Sequence, residues 1–238
     1  MKKLDPYEVQ LAIQFSERLS TVDLWITMAE ELLGAARILE ADVVQYWSEV
    51  RIEKGRVAGA PGRKCIQGAY FLLTAYAVEN FFKALLIHKK RESFRNKLLT
   101  SIPKYINEHD LLRLAQTADM KLTLLEEDLL FRLSRSSIWT ARYPVPTGPN
   151  AITAVREFSD GKTYLVAYYR PEDVDQIHTF VNRLREYVSW ETGISDTSGL
   201  DPAGKLGIKT ADCIRGYTSS VWATPRTLQV DQRREAYL

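Results

Sequence analysis

Residues 68–90, GAYFLLTAYAVENFFKALLIHKK, constrain this chain more than any other stretch. Ala69, Leu72, Leu73, Tyr76, Ala77, Phe81, Ala84, Leu85 and His88 recur at three- and four-residue steps, which is the helical period. No Gly or Pro falls between Ala69 and Lys90. A helix apolar over so much of its circumference belongs inside a bundle, with neighbours on several sides. Glu79, Asn80 and Lys83 interrupt the apolar run. Glu79 and Lys83 are four apart with the acid first, so they share a face and can pair. One reading is an ordinary ion pair on the single wet face of the helix. The other is a polar notch in the bundle, with Lys83 binding an anionic ligand.

Composition narrows the class. The chain has 238 residues, 45% hydrophobic and 26% charged, which predicts a soluble globular protein with material for a sizeable core. A net charge of +2 neither demands nor excludes nucleic acid. Cys65 and Cys213 are the only cysteines, so a disulfide framework and a Cys-based zinc site are both unexpected. The opening MKKLDPYEVQLAIQF soon acquires acids and amides, unlike a signal peptide. Glu79, Asn80 and Lys83 break the one long apolar run, so no membrane span is expected and the address is the cytoplasm.

The remaining elements follow from periodicity and punctuation. A first helix is expected from about Pro6, a residue favoured in a first turn. Ser20 with Asp23 resembles a capping box at the head of a long helix. Its stripe runs Leu24, Trp25, Met28, Leu32, Leu33, Ala36, Leu39, Val43, Val44 and Trp47, with Gly34 as a kink or a close-packing point. Residues 51–64, rich in Gly and basic side chains, read as a flexible connection. Asn107 or Asp110 can cap a short helix through Leu111, Leu112, Leu114 and Ala115. Leu122, Leu125, Leu129 and Leu133 mark the next helix, with Glu126 and Glu127 outside. Residues 151–169 then change period and read as a β-hairpin turning at Asp160-Gly161. Pro171 opens a last helix with Val174, Ile177, Val181, Leu184 and Val188 on one stripe, and Arg183 and Arg185 facing its C-terminal dipole. The pattern is lost after Gly193. The expected organisation is an all-α, up-and-down antiparallel bundle over residues 1–192, a hairpin insertion at about 151–169, and an irregular extension over 193–238.

Three runs carry a family resemblance: AVENFFKALL (77–86), HDLLRLA (109–115) and WTARYP (139–144). Together they resemble the HEPN domain, a small α-helical domain that shows a Glu four before a Lys in a buried helix, a His-Asp-Leu helix start and an Arg-Tyr-Pro near the end of the core. The resemblance covers about residues 19–190. It implies a helical bundle that binds a nucleotide or RNA, forms a homodimer, and works with a nucleotidyltransferase-like partner in a toxin–antitoxin or stress-defence setting. It also implies a ligand-binding set of Glu79, Asn80, Lys83, His109, Arg142 and Tyr143. HEPN ribonucleases carry Arg, four to six residues, then His. The positions that spacing requires hold Phe81, Phe82 and Lys83 before His88, Ile102, Pro103 and Lys104 before His109, and Pro171, Glu172 and Asp173 before His178. None is Arg, which argues against the family's ribonuclease chemistry.

Other chemistries find little footing. The three histidines are scattered, with no pair at helical spacing and no His-Glu-x-x-His, so no metal is expected. No cofactor motif is present. His109 is read chiefly as a local cap, with a general-base role as the alternative. Arg142 is expected to fork onto a carboxylate such as Glu79, or onto phosphate. His178 reads as a partly buried surface residue, and His88 as a C-terminal charge on its helix. A binding module is the leading expectation. The alternatives are a metal-independent endoribonuclease using His109, Arg142 and His178, with Arg170 as a further cation, and a structural homodimer with no small ligand.

Overall fold

The computed structural model describes residues 5–53, 56–59, 66–94, 99, 101–140, 155–157, 159–161, 163–165 and 169–194. The chain divides into two units, Met1–Ser195 and Asp196–Leu238, and every described residue belongs to the first. The extension over 193–238 therefore lies almost wholly outside the described residues, as do Arg142 and Tyr143.

The described body is built on helices. Helices α1 (Pro6–Ser20), α2 (Val22–Glu49), α3 (Gln67–Lys89), α4 (Arg91–Phe94), α5 (Leu111–Thr117), α6 (Leu124–Arg135) and α7 (Asp173–Thr192) account for most of it. A π-helical turn, Ser136–Thr140, extends α6. Helix α3 packs along α2 and also meets α5, α6 and α7. That surround buries Tyr70, Phe71, Ala75, Val78, Phe81, Phe82, Ala84, Leu85, Leu86 and Ile87. Among the described helices α3 alone has the length and composition to cross a membrane, and most of its apolar window is buried inside the protein.

Helix ends are set locally. Asp5 and Glu8 form a capping box at α1, and Pro6 supplies the first turn. Helix α6 begins with a second box, Thr123 with Glu126. Asp110 caps α5, accepting from the N–H groups of Leu112 and Arg113, as one of the two sequence-level options had it. The expected Ser20–Asp23 box does not form. Thr21 occupies the N-cap of α2 without a side-chain cap bond, and Ser20 Oγ donates to Glu17 O. The chain turns one residue later than the pattern suggests, because α1 runs through Ser20. Helix α7 stops at Gly193, whose φ of 69° is the left-handed conformation a C-cap glycine adopts at little cost.

The stripes hold on some helices and not on others. Val174, Ile177, Val181, Leu184 and Val188 are all buried on α7. On α2 the buried line is Ala29, Leu33, Ala36 and Val43, whereas Leu24, Met28 and Val44 are exposed. Gly34 lies inside α2, and a Cβ there would meet nothing within 4 Å, so it is not a close-packing point. Leu125 of α6 is also exposed. Arg183 and Arg185 do not serve the dipole of α7. Arg183 pairs with Glu126 at 2.8 Å, which takes that acid off the outer face expected for it, and Arg185 forks onto Glu30 on α2. The region read as a flexible connection contains an antiparallel ladder, β1 (Arg51–Glu53) with β2 (Arg56–Gly59), in which the β-branched residues Ile52 and Val57 fall opposite each other. A further ladder pairs β3 (Val155–Glu157) with β4 (Thr163–Leu165). Gly161 beside it has φ 73°.

A dry polar network fastens α3, α6 and α7. Arg132 is 1% exposed, and donates to Asp128 Oδ2 at 3.1 Å and to Asp173 Oδ1. Asp173, fully buried, also accepts from Gln67 Nε2 at 2.8 Å and from the N–H of Arg170 at 2.6 Å. Arg170 closes the circuit onto Asp128 at 3.0 Å. Burial pushes the Asp173 carboxyl above its usual range, against the opposing pull of the Arg132 guanidinium and the Arg170 N–H. A buried charge network is strongly destabilised when one partner is deleted, because the remaining charge is left uncompensated. Arg132→Ala is expected to lower unfolding free energy by about 3–5 kcal/mol in urea titration, on the scale of such deletions.

Candidate functional site

Helix α3 carries its polar residues where it has no wet face. Glu79 and Lys83 are each 7% exposed. The reading of this pair as a solvated ion pair is therefore corrected: both side chains are largely withdrawn from solvent in the body that packs around α3. The Lys83 ammonium donates to Glu79 Oε1 at 2.6 Å and sits 5.8 Å from the centre of the Trp25 ring on α2. Trp25 is itself anchored, its indole N–H donating to Leu19 O at 3.0 Å.

A third group joins from outside the helix. His109 Nδ1 lies 3.0 Å from the same Glu79 oxygen. The imidazole precedes α5, and its backbone is pinned by Glu108, whose Oε1 accepts from the N–H groups of His109 and Asp110 at 2.9 and 3.0 Å. Leu111 N–H donates to Ser134 Oγ at 2.9 Å, tying this start to α6. The helix is capped by Asp110, so His109 is not the cap that sequence reasoning favoured. Its side chain is 57% exposed while that of Glu79 is 9% exposed. The cluster thus runs from a buried ammonium through a buried carboxylate to a ring open to solvent.

Glu79 is unevenly satisfied. Its Oε1 takes both Lys83 and His109, whereas Oε2 is buried with no hydrogen-bond partner. A buried carboxylate oxygen without a donor is costly and calls for an explanation. Among the described residues this is the one carboxylate oxygen so placed. A donor-bearing ligand reaching the cluster would answer it.

The other expected site residues are distributed as follows. Asn80 Nδ2 donates to Tyr76 O along its own helix, at 2.7 Å, and makes no recorded bond to the Glu79 cluster. Arg142 and Tyr143 lie outside the described residues, so the expected fork from Arg142 to Glu79 does too. His178 sits on α7 with Nε2 2.8 Å from Glu40 Oε2 on α2, a separate pair from the one at His109. Arg170 is committed to Asp128 and is not a free cation. His88 falls in the last turn of α3. Among the described residues no group of three His, Cys, Asp or Glu side chains is placed to hold a metal ion.

Sequence reasoning paired Glu79 with Lys83 and grouped both with His109 through the family resemblance, but it did not foresee the direct contact of Glu79 with His109, since nothing local joins residues 30 apart. It also missed the Arg132 network. One signal was available: Asp128 and Arg132 repeat the acid-then-base spacing of Glu79 and Lys83 on another helix. No protein-family model matches the chain, and comparison with curated proteins and with solved structures gives no match.

Two expectations follow from this geometry. Lys83→Ala should destabilise the fold by about 3 kcal/mol, since it strands a buried carboxylate, and Glu79→Gln/Lys83→Met should recover much of that loss in thermal melts. The second concerns pH. The Asp110 N–H holds the Glu108 carboxyl below its usual range, with burial opposing and the His109 N–H and Arg113 adding to the effect. A carboxyl lowered in the folded state contributes stability above its unfolded range, and that stability is lost as pH falls through the folded value. Glu108→Gln should therefore flatten the acid limb of a Tm-versus-pH profile while leaving its neutral and basic limbs parallel to wild type.

Proposed function

We propose that this chain is a HEPN-like binding module for a nucleotide or RNA, without the Arg-x4–6-His ribonuclease chemistry. In this reading the helices follow the up-and-down order of that domain and the β3–β4 segment is an insertion into it. The protein acts in the cytoplasm as a homodimer, beside a nucleotidyltransferase-like partner, in a toxin–antitoxin or stress-defence setting. The observation that carries the reading is the junction of Glu79 and Lys83 with His109. It brings together two of the three runs on which the resemblance rests, and it leaves one buried acceptor, Glu79 Oε2, without a donor. Nucleobases present amino and ring N–H groups that suit such an acceptor.

Burial changes which residue meets the ligand. Lys83 is spent on Glu79 and closed in by Trp25, so it organises the cluster rather than contacting phosphate. His109, open to solvent and held by the buried acid, is the contact residue. The displaced-ribonuclease alternative gains nothing from the described residues, because His109 and His178 belong to separate pairs and Arg170 is engaged.

Fluorescence anisotropy with a short single-stranded RNA and with nucleoside monophosphates tests this reading. Binding is expected, and His109→Ala, folded by circular dichroism, should weaken it on the order of tenfold, as for loss of one hydrogen bond to a charged group. RNA affinity should fall as salt rises. The RNA should remain intact in chelator. Cleavage without metal, or no binding to any of these probes, would overturn the proposal.

A further inference from the structure

The chain has three histidines, and two of them meet carboxylates in opposite senses. His178 offers Nε2 to Glu40. His109 offers Nδ1 to Glu79, and among the described residues nothing bonds its Nε2. An ionised carboxylate only accepts, and the same Glu79 oxygen already accepts from the Lys83 ammonium. The ring proton of neutral His109 therefore sits on Nδ1, and Nε2 carries a free lone pair. The side chain is more exposed than buried, so a small reagent can reach it. The ring is also held from behind, by Glu79 at Nδ1 and by Glu108 on its own backbone N–H.

A lone pair fixed by a hydrogen-bonded acid on the far nitrogen is the arrangement that activates an imidazole nucleophile. We propose that His109 Nε2 is a phosphoryl-acceptor site, taking its group from a phosphoramidate or acyl phosphate donor. Nε2 attacks phosphorus and an Nε2–P bond forms. The P–N or P–O bond to the leaving group breaks, and its electron pair departs with ammonia or with a carboxylate. No oxidant or reductant is involved. The ring gains positive charge while Nδ1–H stays on Glu79, whose negative charge offsets it. Arg113, four residues on, is a candidate cation for the incoming group: its side chain is 71% exposed and its ion pairs to Glu108 and Asp110 are long, at 3.5 and 3.8 Å. The proposal goes beyond the nucleotide-or-RNA reading and stands or falls separately from it, since it concerns reactivity rather than affinity.

The test uses the full chain and phosphoramidate at neutral pH. Intact-mass spectrometry should show the gain of one phosphoryl group, released by acid, and fragmentation should place it on His109. His109→Gln should abolish the gain and His178→Gln should preserve it. Glu79→Gln should slow labelling on the order of ten- to a hundredfold, the usual cost of losing the partner behind an imidazole, because the new amide can donate to Nδ1 and shift the ring proton to Nε2. Should Glu79→Gln fail to fold by circular dichroism, the wild-type labelling position and the His109 tautomer from nitrogen-detected NMR decide the matter. Absence of labelling, labelling at His178 instead, or a neutral ring protonated on Nε2 would each overturn the proposal.

Discussion

A helix enclosed over most of its surface gives its interior polar residues little water, and the arrangement of this protein follows from that constraint on α3. Helices α2, α4, α5, α6 and α7 all meet α3, and each of its charged interior groups has to find its partner within the protein. Glu79 finds Lys83 one turn along and His109 across the junction with α5. Gln67, at the head of the helix, links Trp47 of α2 to Asp173 of α7. The polar side chains of α3 thus fix which neighbours lie against which of its turns, over and above what apolar packing requires.

The two buried clusters differ in a way that separates structure from site. Around Arg132 the donors and acceptors interlock: Asp173 accepts from three residues, and Asp128 accepts from two arginines. Such a network fixes geometry and presents no open valence to a ligand. Around Glu79 the account does not close. Both donors crowd one oxygen, the other has none, and the third member of the cluster is half out in solvent. Incomplete satisfaction next to an accessible imidazole is what a fold retains for chemistry or recognition, since packing alone gains nothing from it.

How much was legible in the sequence depended on the kind of force involved. The length and burial of α3, the stripe on α7 and the Asp110 cap came directly from period and from side-chain chemistry near in sequence. The exposure of Leu24, Met28, Val44 and Leu125 did not, because an apolar residue at helical spacing is buried only if another element covers it. The Ser20–Asp23 box failed for a related reason: a box needs the helix to begin there, and α1 was still running. Arg183 and Arg185 show the limit of local electrostatics. A dipole worth a fraction of a kcal/mol gave way to defined carboxylate partners, Glu126 and Glu30, brought up by tertiary packing.

Of the two readings of Glu79 and Lys83, the wet-face pair is the more informative failure, because the sequence contained the means to prefer the polar notch. A helix apolar nearly all round and an ion pair on a wet face are two demands on the same residues. They compete for the same circumference. Side chains 100° apart along a helix leave little arc unassigned once Tyr76, Ala77, Phe81, Ala84 and Leu85 have claimed theirs. Asking where each polar group of an enclosed helix finds its partner turns that conflict into a search for a third residue, from a distant segment, with a donor to spare. His109 is such a residue, and its place opposite Glu79 is why we propose the junction of α3 with the start of α5 as the site.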